Sequence, residues 1–330
     1  MRLRTVVLFL VLGALIAGVF GWQVFRSVPA LRDGALIVNI PPHEGLRGIA
    51  RRLAEAGVIR SETVFLALTG VRGSMRQLKA GEYEIPKGGS TYDVVRLLES
   101  GKVRQHPVLH PEGATVSELA RVLEAERLAT AQAVAKVATD PQFLRSMGIT
   151  GPSVEGYLFP DTYQFVRGMA PEEMLGRMVH RMRTKLTPDL IDRARARGLN
   201  AHQLLTLASI IEREAVAREE MRTISAVFWN RMKIDMPLQA DPTVQYAVAK
   251  ERAALTRADL QLDHPYNTYR RTGLPPGPIA SPGLAAIHAT LDPAPVNFLF
   301  FVAIDERRHH FSTTIDEHNA AVARYRLSRQ

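Results

Sequence analysis

The apolar positions follow three rhythms along the chain. Between Arg4 and Arg26 they run with no charge at all, long enough for a membrane-spanning helix. After a linker over 27–35, "LIVNI" has strand character, and Leu46, Ile49 and Leu53 follow at helical spacing, with Gly57 as a stop. "SETVFLALTG" and "GEYEIP" complete a first module. Residues 128–148 and 171–199 predict helices, and a long helical segment is predicted from His202 to Lys233. Between them, "SVEGYLFPDTYQF" is too rich in Gly, Pro and aromatics for a helix. Near the end "VNFLFFVAI" predicts a strand paired with "HHFSTT", and "TIDEHNAAVARYRLSR" a closing helix.

One pattern recurs: a strand, a Pro/Gly turn, then a short helix. Pro41, Ile49, Ala50 and Leu53 mark the first copy. Pro86, Val94, Val95 and Leu98 mark the second, and Pro111, Leu119, Ala120 and Leu123 the third. Thr115 and Glu118 make a capping box for the third helix. Uneven spacing between copies excludes a solenoid and predicts small α+β modules.

Charge changes the picture of the partner. The net charge of +9 suits an anionic partner: nucleic acid, lipid headgroups or an acidic polymer. Arg2 and Arg4 before the apolar run favour a cytoplasmic N-terminus. The run is longer than the roughly 7–15 residues of a signal-peptide core, so it is read as an uncleaved anchor. Everything after Arg26 then lies outside the cytoplasm, and nucleic acid drops out. The chain has no cysteine, which excludes disulfides and thiolate metal sites.

The chemistry concentrates at "LASIIEREAV", Leu207–Val216. Glu212 and Glu214 interrupt an apolar run. At 3.6 residues per turn they lie about 200° apart, so on one helix they cannot share a face. One is expected at a core or cleft, where desolvation raises its pKa and keeps a proton available for general acid work. The plainer alternative is a solvated helix surface, with Glu214 pairing with Arg218. The pattern alone does not choose between the two carboxylates.

Three Pro-stiffened loops surround this segment. They carry Glu155, Tyr157 and Asp161; Gln239, Asp241, Gln245 and Tyr246; and Tyr266, Asn267 and Tyr269. Flat rings beside amide and carboxyl groups on rigid loops suit a sugar ligand, although such residues also dominate ordinary turns. His309 and His310 are adjacent rather than at helical metal spacing, and neither HExxH, a GxSxG elbow nor a phosphate loop occurs. No metal site or cofactor is expected.

The motifs "LASIIEREA", "NRM…MPLQADPTVQY", "YNTYRRTGLPPGPIASPG", "VEGYLFPDTY" and "FLFFVA…HHFSTTIDEHNAAV" together resemble the YceG-like endolytic murein transglycosylases. The resemblance runs from about residue 36 to the end, with Arg213 where a lysine is usual. It implies an α+β protein: an N-terminal transmembrane helix (1–26), a linker (27–35), a LysM-like module (36–105) and a mixed helical and strand catalytic domain (106–330). It implies cleavage of peptidoglycan glycan strands between MurNAc and GlcNAc, leaving 1,6-anhydro ends and ending strand elongation. The muramic C6 hydroxyl acts as nucleophile, so one carboxyl suffices as acid and then base. Alignment of "Ile211-Glu212-Arg213-Glu214-Ala215" with the Glu-Ser pair of soluble lytic transglycosylases places that carboxyl at Glu214. Glu212, Asp241 and Asn267 are then expected in support, and Glu155, Tyr157, Gln239, Tyr246, Tyr266 and Tyr269 in substrate binding.

The expected partners are glycan strands, the membrane through one helix, and peptidoglycan synthases. The expected location is the inner membrane, single-pass, with the C-terminal domain in the periplasm. Two other readings stay open at this point: a non-catalytic peptidoglycan-binding scaffold, and a glycan hydrolase that uses a second carboxylate such as Asp241 or Glu155.

Overall fold

The apolar run forms one helix, α1 (Arg2–Phe25), in the computed structural model, which describes residues 2–28, 35–251, 253–305 and 307–327. Most of the linker predicted over 27–35 lies outside the described residues, as does the end of the closing helix. The chain divides into two compact units, residues 1–106 with 164–168, and residues 107–163 with 169–330.

The first unit continues with β1 (Leu36–Ile40), α2 (Leu46–Glu55), α3 (Glu62–Val71), β2 (Gly81–Ile85) and α4 (Thr91–Ser100). β1 pairs antiparallel with β2, from Leu36 opposite Ile85 to Ile40 opposite Gly81. Alternation along β1 sends Val38 and Ile40 into a core that Leu53, Phe65, Tyr83 and Leu98 fill. Ser90 and Asp93 cap α4 reciprocally, and Gly101 ends it in the left-handed region.

Next in the chain come β3 (His106–His110), α5 (Val116–Ala125), α6 (Ala131–Ala138), α7 (Pro141–Ser146) and β4 (Asp161–Phe165), and β3 pairs with β4. Thr115 and Glu118 form the expected capping box. The recurring pattern is regular in length. In each copy a strand of five residues is followed, after five residues of turn, by a helix of ten: β1 with α2, β2 with α4, β3 with α5.

Then come α8 (Pro171–Lys185), α9 (Pro188–Ala196), α10 (Ala201–Glu214), α11 (Met221–Lys233), α12 (Asp241–Ala247), α13 (Arg257–Leu260) and α14 (Leu284–Leu291). The predicted helix over 128–148 is two, α6 and α7, and that over 171–199 is also two, α8 and α9. In both, a proline at the first helical position follows a capping residue, Asp140 or Thr187, which starts a new helix. The strand β5 (Phe300–Ala303) pairs antiparallel with β6 (His309–Ser312), and α15 (Ile315–Leu327) follows.

α10 is the centre of the second unit. Every residue from Leu204 to Ile211 is buried, against α9, α11, α12 and α14. Its interior polar groups are satisfied: Thr206 Oγ1 donates to His202 O within the helix, and Ser209 Oγ accepts from Ile279 N, 70 residues on, at 3.0 Å.

Candidate active site

The long helix expected over 202–233 breaks in the middle, and the break shapes the site. An Asn200–Gln203 capping box starts α10, and Glu214 ends it. Ala215 turns extended at φ −76° and ψ 116°, and a single 3-10 turn, Arg218–Glu220, leads into α11. Neither Gly nor Pro marks the break. Tertiary contacts hold it: Arg218 pairs with Glu112, and Glu220 accepts from both His309 N and His309 Nδ1, at 3.0 and 2.7 Å. Because the helix stops at Glu214, both glutamates line one cleft of about 490 Å³, despite their angular separation on an unbroken helix.

Their surroundings differ. Glu212 Oε2 accepts the Gly283 amide at 2.9 Å, at the N-terminus of α14. Burial raises its pKa; the Gly283 bond opposes that rise. Glu214, partly exposed to the cleft, has no hydrogen-bonding partner for its carboxyl among the described residues. Burial and then the Asp241 charge push its pKa up to about 8, against the opposing charges of Arg231 and Arg213. A carboxyl in this state holds a proton near neutrality and has lone pairs open to a ligand.

Asp241 starts α12 and lines the same cleft. Tyr269 Oη donates to Asp241 Oδ1. Burial, then Asp241, raises the Tyr269 pKa, so the phenol stays a donor. Tyr269 is held from behind by Asn267, whose Oδ1 accepts Tyr269 N at 3.0 Å. The Asn267 amide donates to Leu260 O and Leu262 O at 3.0 and 2.8 Å. Asn267 is fully buried and reaches the cleft only through Tyr269.

A second cavity of about 380 Å³ adjoins the cleft and shares Arg213, Pro242 and Gln245 with it. Glu155 and Tyr246 line it. Glu155 accepts Val116 N at the start of α5, and burial pushes its pKa up to about 8. The Tyr246 ring lies 5.0 Å from that of Tyr266, which is almost buried. Tyr157 is engaged elsewhere. His202 Nε2 bonds Pro276 O at 2.7 Å, so its Nδ1 accepts the Tyr157 hydroxyl, also at 2.7 Å. Gln239 takes the left-handed region at φ 48°; its amide donates to Thr268 O and its side chain is exposed.

The structure thus brings Glu214, Glu212 and Asp241 to one cleft with Tyr269 behind Asp241, and Glu155 and Tyr246 to the cavity beside it. Asn267, Tyr157 and Tyr266 stand in the supporting layer. Two arginines were not read as site residues from the sequence. Arg213 lines both cavities and donates to Gly113 O at 3.1 Å. Arg231 is 6 % exposed and donates to Leu238 O at 2.7 Å and Leu299 O at 2.6 Å, so it fixes the loop that leads to Asp241. The signal for Arg231 was a cation close after the apolar helical run "AVFW".

Known proteins share this framework. Over 94 % of its length the chain is 32 % identical to the endolytic murein transglycosylase of Bacillus subtilis, covering 90 % of that protein. Over 97 % of its length it is 30 % identical to the endolytic murein transglycosylase of Streptococcus pneumoniae, of which it spans 65 %. A crystal structure of a yceG-like protein from Listeria monocytogenes matches with a TM-score of 0.61 at 32 % identity, covering 87 % of this chain and 98 % of that one. The model of the YceG-like family matches residues 38–324, and the chain belongs to that family.

Proposed function

We propose that the chain is a membrane-anchored endolytic lytic transglycosylase of peptidoglycan, with Glu214 as its single acid and base. Glu214 protonates the glycosidic oxygen between MurNAc and GlcNAc as the bond breaks. The carboxylate then takes the proton of the muramic C6 hydroxyl, which closes on C1 to form the 1,6-anhydro ring. No water is consumed, and the proton balance closes on one carboxyl. The observation that carries this reading is the pairing of two properties in Glu214: a carboxyl open to the cleft, and a pKa raised to about 8 by burial and Asp241. Tyr269, Gln245 and the Glu155–Tyr246 cavity supply hydrogen bonds and ring faces for the sugars on either side.

The apolar α1 serves as the anchor, with Arg2 and Arg4 on the cytoplasmic side and the remainder in the periplasm. Residues 36–105 act as a LysM-like module that grips the glycan, supported by the antiparallel β1–β2 pair around α2 and α3. Residues 106–330 form the catalytic domain. The glycan strand is the substrate, cleavage ends its elongation, and a peptidoglycan synthase is the partner that delivers it.

Asp241 supports a second reading. It lines the cleft beside Glu214, as the second carboxylate of a hydrolase would. Mass spectrometry of the products from purified sacculi separates the two. Anhydro ends carry one water less than the reducing ends a hydrolase leaves. Reducing ends alone would reject the transglycosylase reading, and intact sacculi would reject both in favour of a scaffold.

A further inference from the structure

The positive charge of the chain is concentrated in its first unit. Residues 1–106 hold fifteen Lys and Arg against eight Asp and Glu, seven of the nine net charges. Cleaving a glycan strand in the second unit does not use them.

α1 is not joined to this unit by a free hinge. Val24 and Val28 are 2 % and 3 % exposed within its core, and Phe20 packs against the same core. Val28 N donates to Gly89 O at 3.0 Å, Ser27 bridges Ser90, and Arg60 Nη2 donates to Ser27 O at 2.8 Å. The apolar stretch Leu3–Phe25 is about 34 Å long at 1.5 Å per residue, slightly more than the roughly 30 Å hydrocarbon core of a bilayer. Phe25 therefore falls at its outer edge. Phe20 lies about 8 Å deeper. The parts of α3 and α4 packed on this end of α1 reach headgroup depth.

The side chains at that level suit the interface. The Phe25 ring is 5.1 Å from Tyr92, and the guanidinium of Arg72 lies 5.0 Å over the other ring of that pair, Tyr92. Arg96 lies 6.0 Å from Tyr92, and Arg26 stacks 4.4 Å over Trp22. Beside Arg72, Val71 is 81 % exposed and Met75 51 %, with Arg76 exposed after them. Bare apolar side chains, aromatic rings and arginines, gathered at the end of a helix of lipid length, match the outer boundary of a bilayer.

We propose that the turn Val71–Arg76 and the first turns of α4 dock on anionic phospholipid headgroups of the bilayer that α1 enters. The inference rests on α1 being an anchor. It makes the first unit a seated base: Val71 and Met75 dip among the headgroups, and Arg76 and Arg96 meet phosphate. Arg72 contributes less net charge, because Glu99 already binds it at 2.8 Å.

The absence of cysteine in the chain makes the test clean. The full chain carries one fluorophore at Val71→Cys, Met75→Cys or, as a reference, Gly13→Cys within α1. Each is placed in nanodiscs of mixed phosphatidylglycerol and phosphatidylcholine. Lipids bearing a nitroxide on the headgroup are expected to quench 71 and 75, and lipids bearing it within the acyl chain to quench 13. If 13 is quenched and 71 and 75 are not, the docking inference is overturned while the anchor stands. If none is quenched, the anchor reading fails and takes the inference with it. Arg76→Glu with Arg96→Glu is expected to halve or better the quenching at 75. Equal quenching in that variant, or in discs of phosphatidylcholine alone, overturns the requirement for anionic headgroups.

Discussion

Glu212 Oε2 accepts the Gly283 amide at 2.9 Å, which ties the last turn of α10 to the N-cap residue of α14. The neighbouring acid, Glu214, carries no such tie. The two carboxyls line one cleft, yet one is committed to backbone and the other is open to a ligand.

Substitution should separate these roles. Glu214→Gln is nearly isosteric and removes the proton donor, so turnover of sacculi should fall about 10²–10⁴-fold, the usual share of a general acid and base. Its thermal midpoint should match or exceed the wild type, since a desolvated acid is replaced by a neutral amide. Glu212→Ala should lose about 1–3 kcal/mol of stability through the unpaired Gly283 amide, and less activity than Glu214→Gln. Calorimetry beside a turnover assay checks both. A fully active Glu214→Gln would sink the assignment.

The pH profile should report the same carboxyl. With the Glu214 pKa near 8, the protonated acid persists at neutral pH and is lost as pH rises through about 8. Activity should decline along that limb. Asp241 is the neighbouring charge that raises this pKa, so Asp241→Asn should move the limb to lower pH. An unmoved limb in Asp241→Asn would show that the two groups are not coupled. The measurement is initial rate on sacculi across pH 6–9 at fixed ionic strength, the range that brackets a value of about 8.

The three strand–turn–helix copies were legible because their signals are local: Pro/Gly turns, helical spacing of apolar residues, and the Thr115–Glu118 box. The splits within 128–148 and 171–199 were also written locally, in Asp140-Pro141 and Thr187-Pro188, and the apolar rhythm masked them. The break after Glu214 was not legible. "EREAVAREE" contains no helix breaker, and the bonds that hold it reach 106 residues back to Glu112 and 89 residues on to His309. The second commitment of Glu212 was hidden for the same reason, because Gly283 lies 71 residues away. Angular position on an ideal helix separated the two glutamates; the helix end brought them to one cleft.

Glu155 should leave a signature in the pH dependence of stability. Burial pushes its folded pKa up to about 8 from the ordinary 4.5. Raised in this way, the group is protonated and harmless when folded at low pH. Stability is fully present below the unfolded value and declines as pH rises from there through about 8. Glu155→Gln keeps an acceptor for Val116 N and cannot ionise. Its melting temperature should fall less than that of the wild type between pH 5 and pH 8.5, a span enclosing most of that interval. Parallel melting curves across that range would show that Glu155 is not held neutral by burial.

Arg231 should prove the least replaceable residue outside the cleft. Its guanidinium is buried and satisfies the carbonyls of Leu238 and Leu299 at 2.7 and 2.6 Å. Phe300 lies 5.4 Å from it. Burial lowers its pKa, and the charges of Tyr269 and Glu214 oppose that. Arg231→Met fills similar volume but leaves two carbonyls without donors, at about 1–3 kcal/mol each. Arg231→Lys restores charge but not the planar fork that reaches two carbonyls on different segments. Both variants should therefore unfold at lower temperature, with Arg231→Lys intermediate. In the folded fraction of Arg231→Lys, the loop carrying Asp241 loses one of its fixings, so turnover should fall more than substrate binding. Chemical denaturation, sacculus pull-down and turnover on one preparation separate these effects. A Lys variant that melts and turns over like the wild type would mean that the guanidinium fork holds neither loop.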